Sequence, residues 1–150
     1  MNNKDVDLKK LTAEILDSCY LMSLGTFDQA GPWVSDLVYV YDRELSIYWL
    51  STPDTRHSKA IRQNGKAAAT MTASNDQGED NVGIQLSGKA EEIEGDLSEM
   101  AKMHLAKRKK DPQNHADILG TNKKWYKLTP ELIEIIYEPL WGYTKQKLEI

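Results

Sequence analysis

The chain has 150 residues, 40% of them hydrophobic, and a formal net charge of −4 at neutral pH. Its length suits one domain of about 100 to 200 residues, so we expect residues 1–150 to form a single domain. The acidic balance argues against a surface built for nucleic acid, and no apolar run approaches the about 20 residues of a membrane span. With a single cysteine, Cys19, the sequence predicts a soluble, cytoplasmic protein without an internal disulfide or a cysteine-based metal site.

The N-terminal segment has the pattern of an amphipathic helix. Between Asp7 and Met22, apolar side chains recur every three or four positions, which is the spacing of one helix face. Cys19 falls within this apolar stripe. The sequence therefore predicts a small buried side chain at that position and not a reactive thiol.

The next segments change to the composition of β-strands. Three runs, LMSLGTFD, WVSDLVYVY and LSIYWLS, are rich in β-branched and aromatic residues and are separated by the turn-forming DQAGP and by DRE. They predict a three-stranded antiparallel meander. AAATMTA predicts a fourth strand, and VGIQLSGKAEEIEG predicts a long strand with one buried and one polar face.

The C-terminal third adds a helix and two short strands. Residues 96–110 have the pattern of a helix that is capped by Asp96 and ends in the basic residues KRKK, which we expect to lie in solvent. WYKLTPELIEIIYEP predicts two short strands hinged at Thr129 and Pro130. With about six strands in successive hairpins, the chain is predicted to be mainly β (α+β), a small antiparallel barrel with peripheral helices.

The stretch WLSTPDTRHSKAIRQN marks the start of another helix. Thr52 is a candidate N-cap with Pro53 at the first helical position, and Asp54 or Thr55 offers an alternative cap one turn later. Either start leaves backbone N–H groups without helical partners and places the positive end of the helix dipole there. The position is therefore suited to an anion.

The side chains around this helix start favour a phosphate. The cluster combines hydroxyls and cations, namely Ser51, Thr52, Arg56, His57 and Lys59. The alternative is that Arg56 and Lys59 are simply exposed on a short helix and form weak ion pairs or face solvent. Cations at a helix N-terminus are opposed by the dipole, however, which argues for an anion that compensates them.

The order of these segments resembles the pyridoxamine 5′-phosphate oxidase-like split-barrel flavoproteins. The resemblance runs through GTFDQAGPWVSDLVYVYD, LSIYWLSTPDTRHSKAIRQN, AAATMT, GIQLSGKAEEIEG and YKLTPELIEIIY. Within that family, TRHSKA and LWGYTKQK look closest to a small bacterial branch. The resemblance implies an antiparallel split β-barrel that forms a homodimer and carries FMN at the dimer interface.

The resemblance also implies which residues bind the cofactor. In such proteins the backbone of the second strand lies along the flavin, which corresponds here to Ser35, Asp36, Leu37 and Val38. The end of the third strand and the helix after it hold the phosphate, which assigns that role to Ser51, Arg56 and His57, supported by Thr52 and Lys59. Many relatives have lysine where His57 stands, so here the charge of this contact depends on the pH near neutrality.

Two further positions are implied near the flavin ring. Gln85 lies on the polar face of the long strand, where relatives place a polar side chain, and its alternative is a plain surface position. Relatives often carry a tryptophan in the last strand, near Ile136 or Tyr137 here. Trp141 in the tail is the candidate for that ring-facing role, with packing at a dimer interface as the alternative.

The function that the resemblance implies is that of an FMN-dependent oxidoreductase, which passes electrons from a reduced donor to a small molecule. The tail GYTKQKLEI lacks the arginine pattern of the true pyridoxamine phosphate oxidases, so oxidation of vitamin B6 is not expected. One alternative is a non-catalytic module that binds flavin, deazaflavin or haem as a sensor or stress protein. Another is a barrel that has lost its cofactor. His104 and His115 are predicted to be surface residues.

Overall fold

The structure, a computed structural model, describes residues 5–110 and 122–150. The strands in this part of the chain are β1 (Leu21–Asp28), β2 (Gly31–Val38), β3 (Val40–Tyr41), β4 (Ile47–Ser51), β5 (Lys66–Thr72), β6 (Val82–Ile93), β7 (Lys124–Tyr137) and β8 (Gln146–Leu148). The helices are α1 (Leu8–Ser18), α2 (Arg56–Asn64), α3 (Ser98–Arg108) and α4 (Glu138–Trp141). No helix of the described residues is long and apolar enough to span a bilayer.

All strands belong to one antiparallel sheet. Its order is β2-β1-β5-β6-β7-β4-β3, with β8 paired to β7 beside this path. The sheet curls so that β2 and β4 contact each other although β4 pairs with β3 and β7. This architecture confirms the predicted antiparallel split barrel with peripheral helices.

The predicted three-stranded meander is interrupted within its second strand. β1 and β2 form a hairpin, and β3 pairs with β4 across the DRE turn as predicted, but the run WVSDLVYVY is divided at Tyr39 into β2 and β3, and β4 also pairs with the distant β7. Tyr39 follows β2 and is fully buried, with its hydroxyl donating to the Leu16 carbonyl oxygen at 2.6 Å. Asp42 then accepts the N–H groups of Glu44 and Ser46 and fixes a tight turn from β3 to β4. The chain thus leaves β2 for the core and starts a new hairpin at the opposite end of the sheet.

The two short C-terminal strands that the sequence predicts are one continuous strand. Pro130 lies inside β7, opposite a register shift at Gly88 of β6. A Cβ atom at Gly88 would lie 2.0 Å from the carbonyl oxygen of Thr129, so the close approach of the two backbones requires glycine there. The irregularity accommodates the proline without breaking the strand.

The core fills the inside of the curled sheet beneath α1. Trp49 of β4 and Tyr126 of β7 are both nearly inaccessible and stack with ring centroids 5.8 Å apart. Helix α1 ends at Ser18, earlier than the apolar pattern suggests, because Met22 continues the pattern as the first buried residue of β1. Cys19 is buried and its burial raises the thiol pKa, which confirms its predicted role as a core residue.

Candidate functional site

Helix α2 begins at the alternative cap and not at Thr52. The Thr55 hydroxyl accepts a hydrogen bond from the Ser58 backbone N–H at 3.3 Å, and Gly65 ends the helix in the left-handed region with φ of 68°. Thr52 contributes through its backbone, since its carbonyl oxygen accepts hydrogen bonds from the N–H and the hydroxyl of Thr55. The helix packs on β1, β2 and β6, which fixes its first turn against the sheet.

His57 is the buried centre of this first turn. Its Nε2 lies 2.6 Å from Ser51 Oγ and 3.2 Å from Thr55 Oγ1, and its Nδ1 lies 3.3 Å from Ser35 Oγ. The residue is only 6% exposed, and burial lowers the pKa of its imidazole. His57 is therefore a neutral ring at neutral pH, held by hydroxyls from β2, the end of β4 and the helix cap. Ser35, Ser51, Thr55 and His57 together are called the hydroxyl cluster.

Arg56 lies beside the hydroxyl cluster and is held by the β1–β2 hairpin. Its Nε and Nη2 donate to the two carboxylate oxygens of Asp28 at 3.0 and 3.2 Å, and its guanidinium lies 4.5 Å from the centre of the Trp33 ring. The guanidinium lowers the pKa of the Asp28 carboxyl. The arginine is thus oriented by a two-point ion pair and an aromatic face, whereas Lys59 is exposed.

β2 offers an open backbone edge beside this cluster. It is the terminal strand of the sheet path and, among the described residues, pairs with β1 alone. Its last three residues, Asp36, Leu37 and Val38, line a cavity of about 300 Å³ together with Leu50 of β4. Three of the predicted flavin and phosphate positions, Ser35, Ser51 and His57, therefore contact one another, and Arg56 precedes His57 in the chain with its side chain on the β1–β2 hairpin.

A family model for pyridoxamine 5′-phosphate oxidase matches residues 8–137 of the chain. The chain belongs to this family. A UPF0306 protein of Pasteurella multocida is 23% identical over 96 residues, which cover 63% of this chain and 64% of that protein, so the chain spans less than two thirds of that relative.

Solved structures of similar fold include two proteins described as binding or storing haem. A haem-binding protein of Mycobacterium smegmatis matches with a TM-score of 0.75 and 17% identity, over 95% of this chain and 58% of that one. The haem storage protein HutZ of Vibrio cholerae matches with a TM-score of 0.67 and 18% identity, over 87% and 95% of the two chains. At these identities the likeness establishes the fold.

Two predicted positions of this pyridoxamine 5′-phosphate oxidase family member lie on elements outside the hydroxyl cluster. Gln85 is half-buried in β6, opposite Thr70 of β5 and Glu134 of β7. Trp141 lies in α4 with its ring edge-on to Tyr137 at 6.1 Å, packed against the core. Their predicted contacts with a flavin ring stay predictions.

Sequence reasoning missed residues whose roles depend on distant partners. Asp28 and Trp33 orient Arg56, and the only local signal was the turn-forming DQAGP between them. His104, predicted to be a surface residue, is 3% exposed and contacts the Trp125 ring edge-on at 5.8 Å. That prediction is wrong because α3 packs this side towards the sheet. His115 lies outside the described residues.

Proposed function

We propose that the chain is an FMN-binding flavoprotein with oxidoreductase activity, acting as a homodimer. The convergence of the hydroxyl cluster, Arg56 and the first turn of α2 carries this proposal. Hydroxyls, a guanidinium and unpaired helix N–H groups are donors for the oxygens of a phosphate. The Asp28 carboxylate already accepts from Nε and Nη2 of Arg56, so the remaining N–H groups of the guanidinium would be the ones that meet the anion.

The open edge of β2 supports the same proposal for the flavin ring. The pyrimidine part of a flavin carries carbonyl oxygens and an N–H group, which pair with backbone groups as a neighbouring strand would. The Ser23 hydroxyl donates to the Asp36 carboxylate at 2.6 Å, which adds a side-chain link to the backbone pairing of β1 and β2. Ser35 links this edge to His57. The ring and phosphate positions would thus be supported by one connected set of residues.

The chain's own residues would bind and orient FMN, which supplies the redox chemistry when bound. Arg56 would donate the guanidinium N–H groups that Asp28 does not use, and the hydroxyls of Ser51 and Thr55 would rotate to donate to phosphate oxygens. His57 would donate one ring N–H from its neutral form. Electrons would pass from a reduced donor, such as a nicotinamide nucleotide, to a small-molecule acceptor at the exposed face of the ring.

Exposed apolar side chains on β1 and β2 support the homodimer. Phe27 is 48% exposed and Val34 is 63% exposed, and their partners in the hairpin register, Pro32 and Gly25, lie on the same face. Leu21 continues this face at 43% exposure. An apolar patch of this kind is covered in most proteins by a partner. A stable monomer by light scattering at micromolar concentration, with cofactor bound, would contradict the dimer.

Haem is the second candidate cofactor. His104 lines the same cavity as Asp36, Leu37 and Val38, and histidine is a common axial ligand of haem iron. The two structural relatives that are described as binding or storing haem also favour this candidate. FMN is favoured because the hydroxyl cluster and Arg56 fit a phosphate, whereas His104 alone fits an iron.

The deciding experiment is the absorbance spectrum of the purified protein, followed by extraction and identification of the chromophore. Flavin bands and extracted FMN support the proposal, whereas a Soret band that disappears in a His104→Ala variant supports haem. Calorimetry then compares FMN with riboflavin. Arg56→Ala should weaken FMN binding by about 1.5 to 3 kcal/mol and leave riboflavin binding unchanged.

Arg62→Ala is the matched control in the same helix, since Arg62 is exposed and, within the part of the chain that the structure describes, donates to the Pro53 carbonyl oxygen alone. If Arg56→Ala weakens FMN and riboflavin equally, Arg56 supports the fold and not the phosphate. Oxidation of a nicotinamide nucleotide by the FMN-loaded protein, with a panel of small acceptors, separates an enzyme from a binding module.

A further inference from the structure

A cleft between α1 and α3 lies apart from the elements of the proposed FMN site. It has a volume of about 630 Å³ and is closed at one side by the turn between β3 and β4. Its apolar lining comes from all three elements and consists of Ala13, Leu45, Met100 and Met103, while charged side chains that include Lys9, Lys10 and Arg43 also line it. Such a volume and lining suit a small apolar molecule, and the two methionines can adapt to its shape.

A second cavity continues this cleft towards the core. It measures about 280 Å³ and shares Asp17, Tyr41 and Met103 with the first, and it is also lined by Tyr39 and Lys107. Lys107 comes from the last turn of α3 and was predicted to lie in solvent. Instead its side chain turns inward at the narrow end of the cleft.

The Lys107 amine has an unusual environment for lysine. Its Nζ donates to the Tyr39 carbonyl oxygen at 2.8 Å and lies 3.3 Å from the centre of the Tyr39 ring. Within the described residues it has no carboxylate at ion-pair distance. Burial lowers its pKa to about 8, although the Asp17 carboxylate and the Cys19 thiol act in the opposite direction. A pKa of about 8 leaves a minor fraction of the amine neutral and nucleophilic at neutral pH and a larger fraction just above it.

We propose that Lys107 is a covalent binding site for small apolar aldehydes that enter the cleft between α1 and α3. The lysine nitrogen attacks the carbonyl carbon, and the carbonyl oxygen takes up a proton to give a carbinolamine. Loss of that oxygen as water, with loss of the second amine proton, forms the carbon–nitrogen double bond. The net reaction joins amine and aldehyde and releases one water, without any oxidant or reductant. The Asp17 carboxylate acts electrostatically on the Lys107 amine and lines both cavities.

The test is reductive trapping on the full-length protein with benzaldehyde and cyanoborohydride. The reductant converts an imine into a stable benzylamine, which peptide mass spectrometry assigns to a residue. Lys102 is the internal control, because it lies in the same helix with a 74% exposed side chain. At about pH 7.5, Lys107 should react about tenfold or more faster than Lys102, because a larger fraction of its amine is neutral.

A variant of the cleft tests whether the aldehyde reaches Lys107 through it, as opposed to reacting with Lys107 only because its amine is reactive. Met103 lines both cavities and is 40% exposed, so Met103→Trp should fill the entrance without disturbing the core. We expect this change to slow labelling of Lys107 at least to the rate of Lys102 and to leave Lys102 unchanged. Labelling of Lys107 no faster than Lys102 in the wild type would overturn the site. Unchanged Lys107 labelling in Met103→Trp would overturn the cleft as its entrance.

Discussion

His57 and Lys107 are two basic side chains that the fold withdraws from solvent, and their surroundings differ in kind. The His57 ring faces hydroxyls from Ser35, Ser51 and Thr55, each of which can donate or accept a hydrogen bond. The Lys107 amine faces a carbonyl oxygen and an aromatic ring, which only accept. Burial lowers the pKa of both groups.

The difference determines what each residue can do. A hydroxyl shell satisfies either protonation state of histidine, so His57 can stay neutral in the free protein and adjust when an anion arrives. An acceptor shell favours the ammonium form of lysine while burial disfavours it, and the balance lowers the pKa of Lys107 to about 8, so the amine loses its proton just above neutral pH. One environment suits reversible contact with a phosphate, and the other suits a reactive amine.

The largest expected effect is on the free energy of unfolding. It should differ between a variant of His57 and a variant of Lys107, because the surroundings of the two residues differ. His57→Leu leaves the buried Ser51 hydroxyl and its neighbours without their ring partner, which should cost about 1 to 3 kcal/mol. Lys107→Met removes a partly buried charge and retains an apolar chain of similar length, so it should be neutral or stabilising at neutral pH. Urea unfolding of both variants measures the difference, provided that the dependence of the unfolding free energy on urea concentration is the same for both. Equal losses would show that Lys107 is a structural residue like His57.

The sequence predicted most strands of the sheet, but it did not predict which residues surround His57 and Lys107. Alternation and turn residues located most strands, and the cap alternatives around Thr55 located α2, because these signals are local. The pairing of β4 with β7 was missed, since it joins segments far apart in the chain. Periodicity tells which face of an element is buried but not which distant strand lies beside it.

The candidate site was found in part for the same reason. The residues of the TRHSKA stretch pointed to a phosphate because helix N-terminal chemistry is local. The partners that orient them, Asp28 and Trp33, come from a hairpin that only the fold brings close. Lys107 was assigned to solvent because a run of lysines and arginines at a helix end is normally hydrated. Its inward turn depends on the cavity beside Tyr39.

The second largest effect is a change of the unfolding free energy with pH, caused by the titration of Lys107. Its folded pKa of about 8 lies below that of an unfolded lysine, so the unfolded state binds more protons between the two values. Stability of the wild type relative to Lys107→Met should therefore rise as the pH increases from about 8 to 9.5. The buried tyrosines limit this window, because burial raises their pKa and more alkaline pH favours the unfolded state.

Lys102→Met provides the control for that measurement. Lys102 is exposed and its i,i+3 pair with Glu99 is a surface contact, so the stability difference from wild type should not change over the same pH range. Thermal unfolding of the three proteins at several pH values is sufficient. A flat difference for Lys107→Met would show that its amine is hydrated in the folded state.

A smaller change in stability is expected from His57, and it falls in the acidic pH range. Because burial lowers its folded pKa, the unfolded state takes up the proton first as the pH falls below about 6.5. The wild type should therefore lose stability relative to His57→Gln between about pH 6.5 and 5, since glutamine keeps a neutral hydrogen-bonding group. Denaturant unfolding at the two ends of this range measures the change. A difference that stays constant would mean that His57 takes up its proton at the same pH in the folded and the unfolded state.

The smallest effect tests the hydroxyl cluster as a phosphate site, and it follows from the lowered pKa of free His57. A bound phosphate dianion stabilises imidazolium, so FMN should raise the His57 pKa, and linkage requires affinity to increase as the pH falls through that window. Since the pKa of free His57 is lowered and the phosphate itself protonates near about pH 6, the increase should be only a few-fold. Titrating FMN affinity from about pH 8 to 5.5 measures it, and His57→Lys should flatten the profile while preserving binding. Riboflavin, which lacks the phosphate, should show no such dependence. If FMN gives the same profile in wild type and His57→Lys, the imidazole does not contact the phosphate, and the hydroxyl cluster is part of the fold alone.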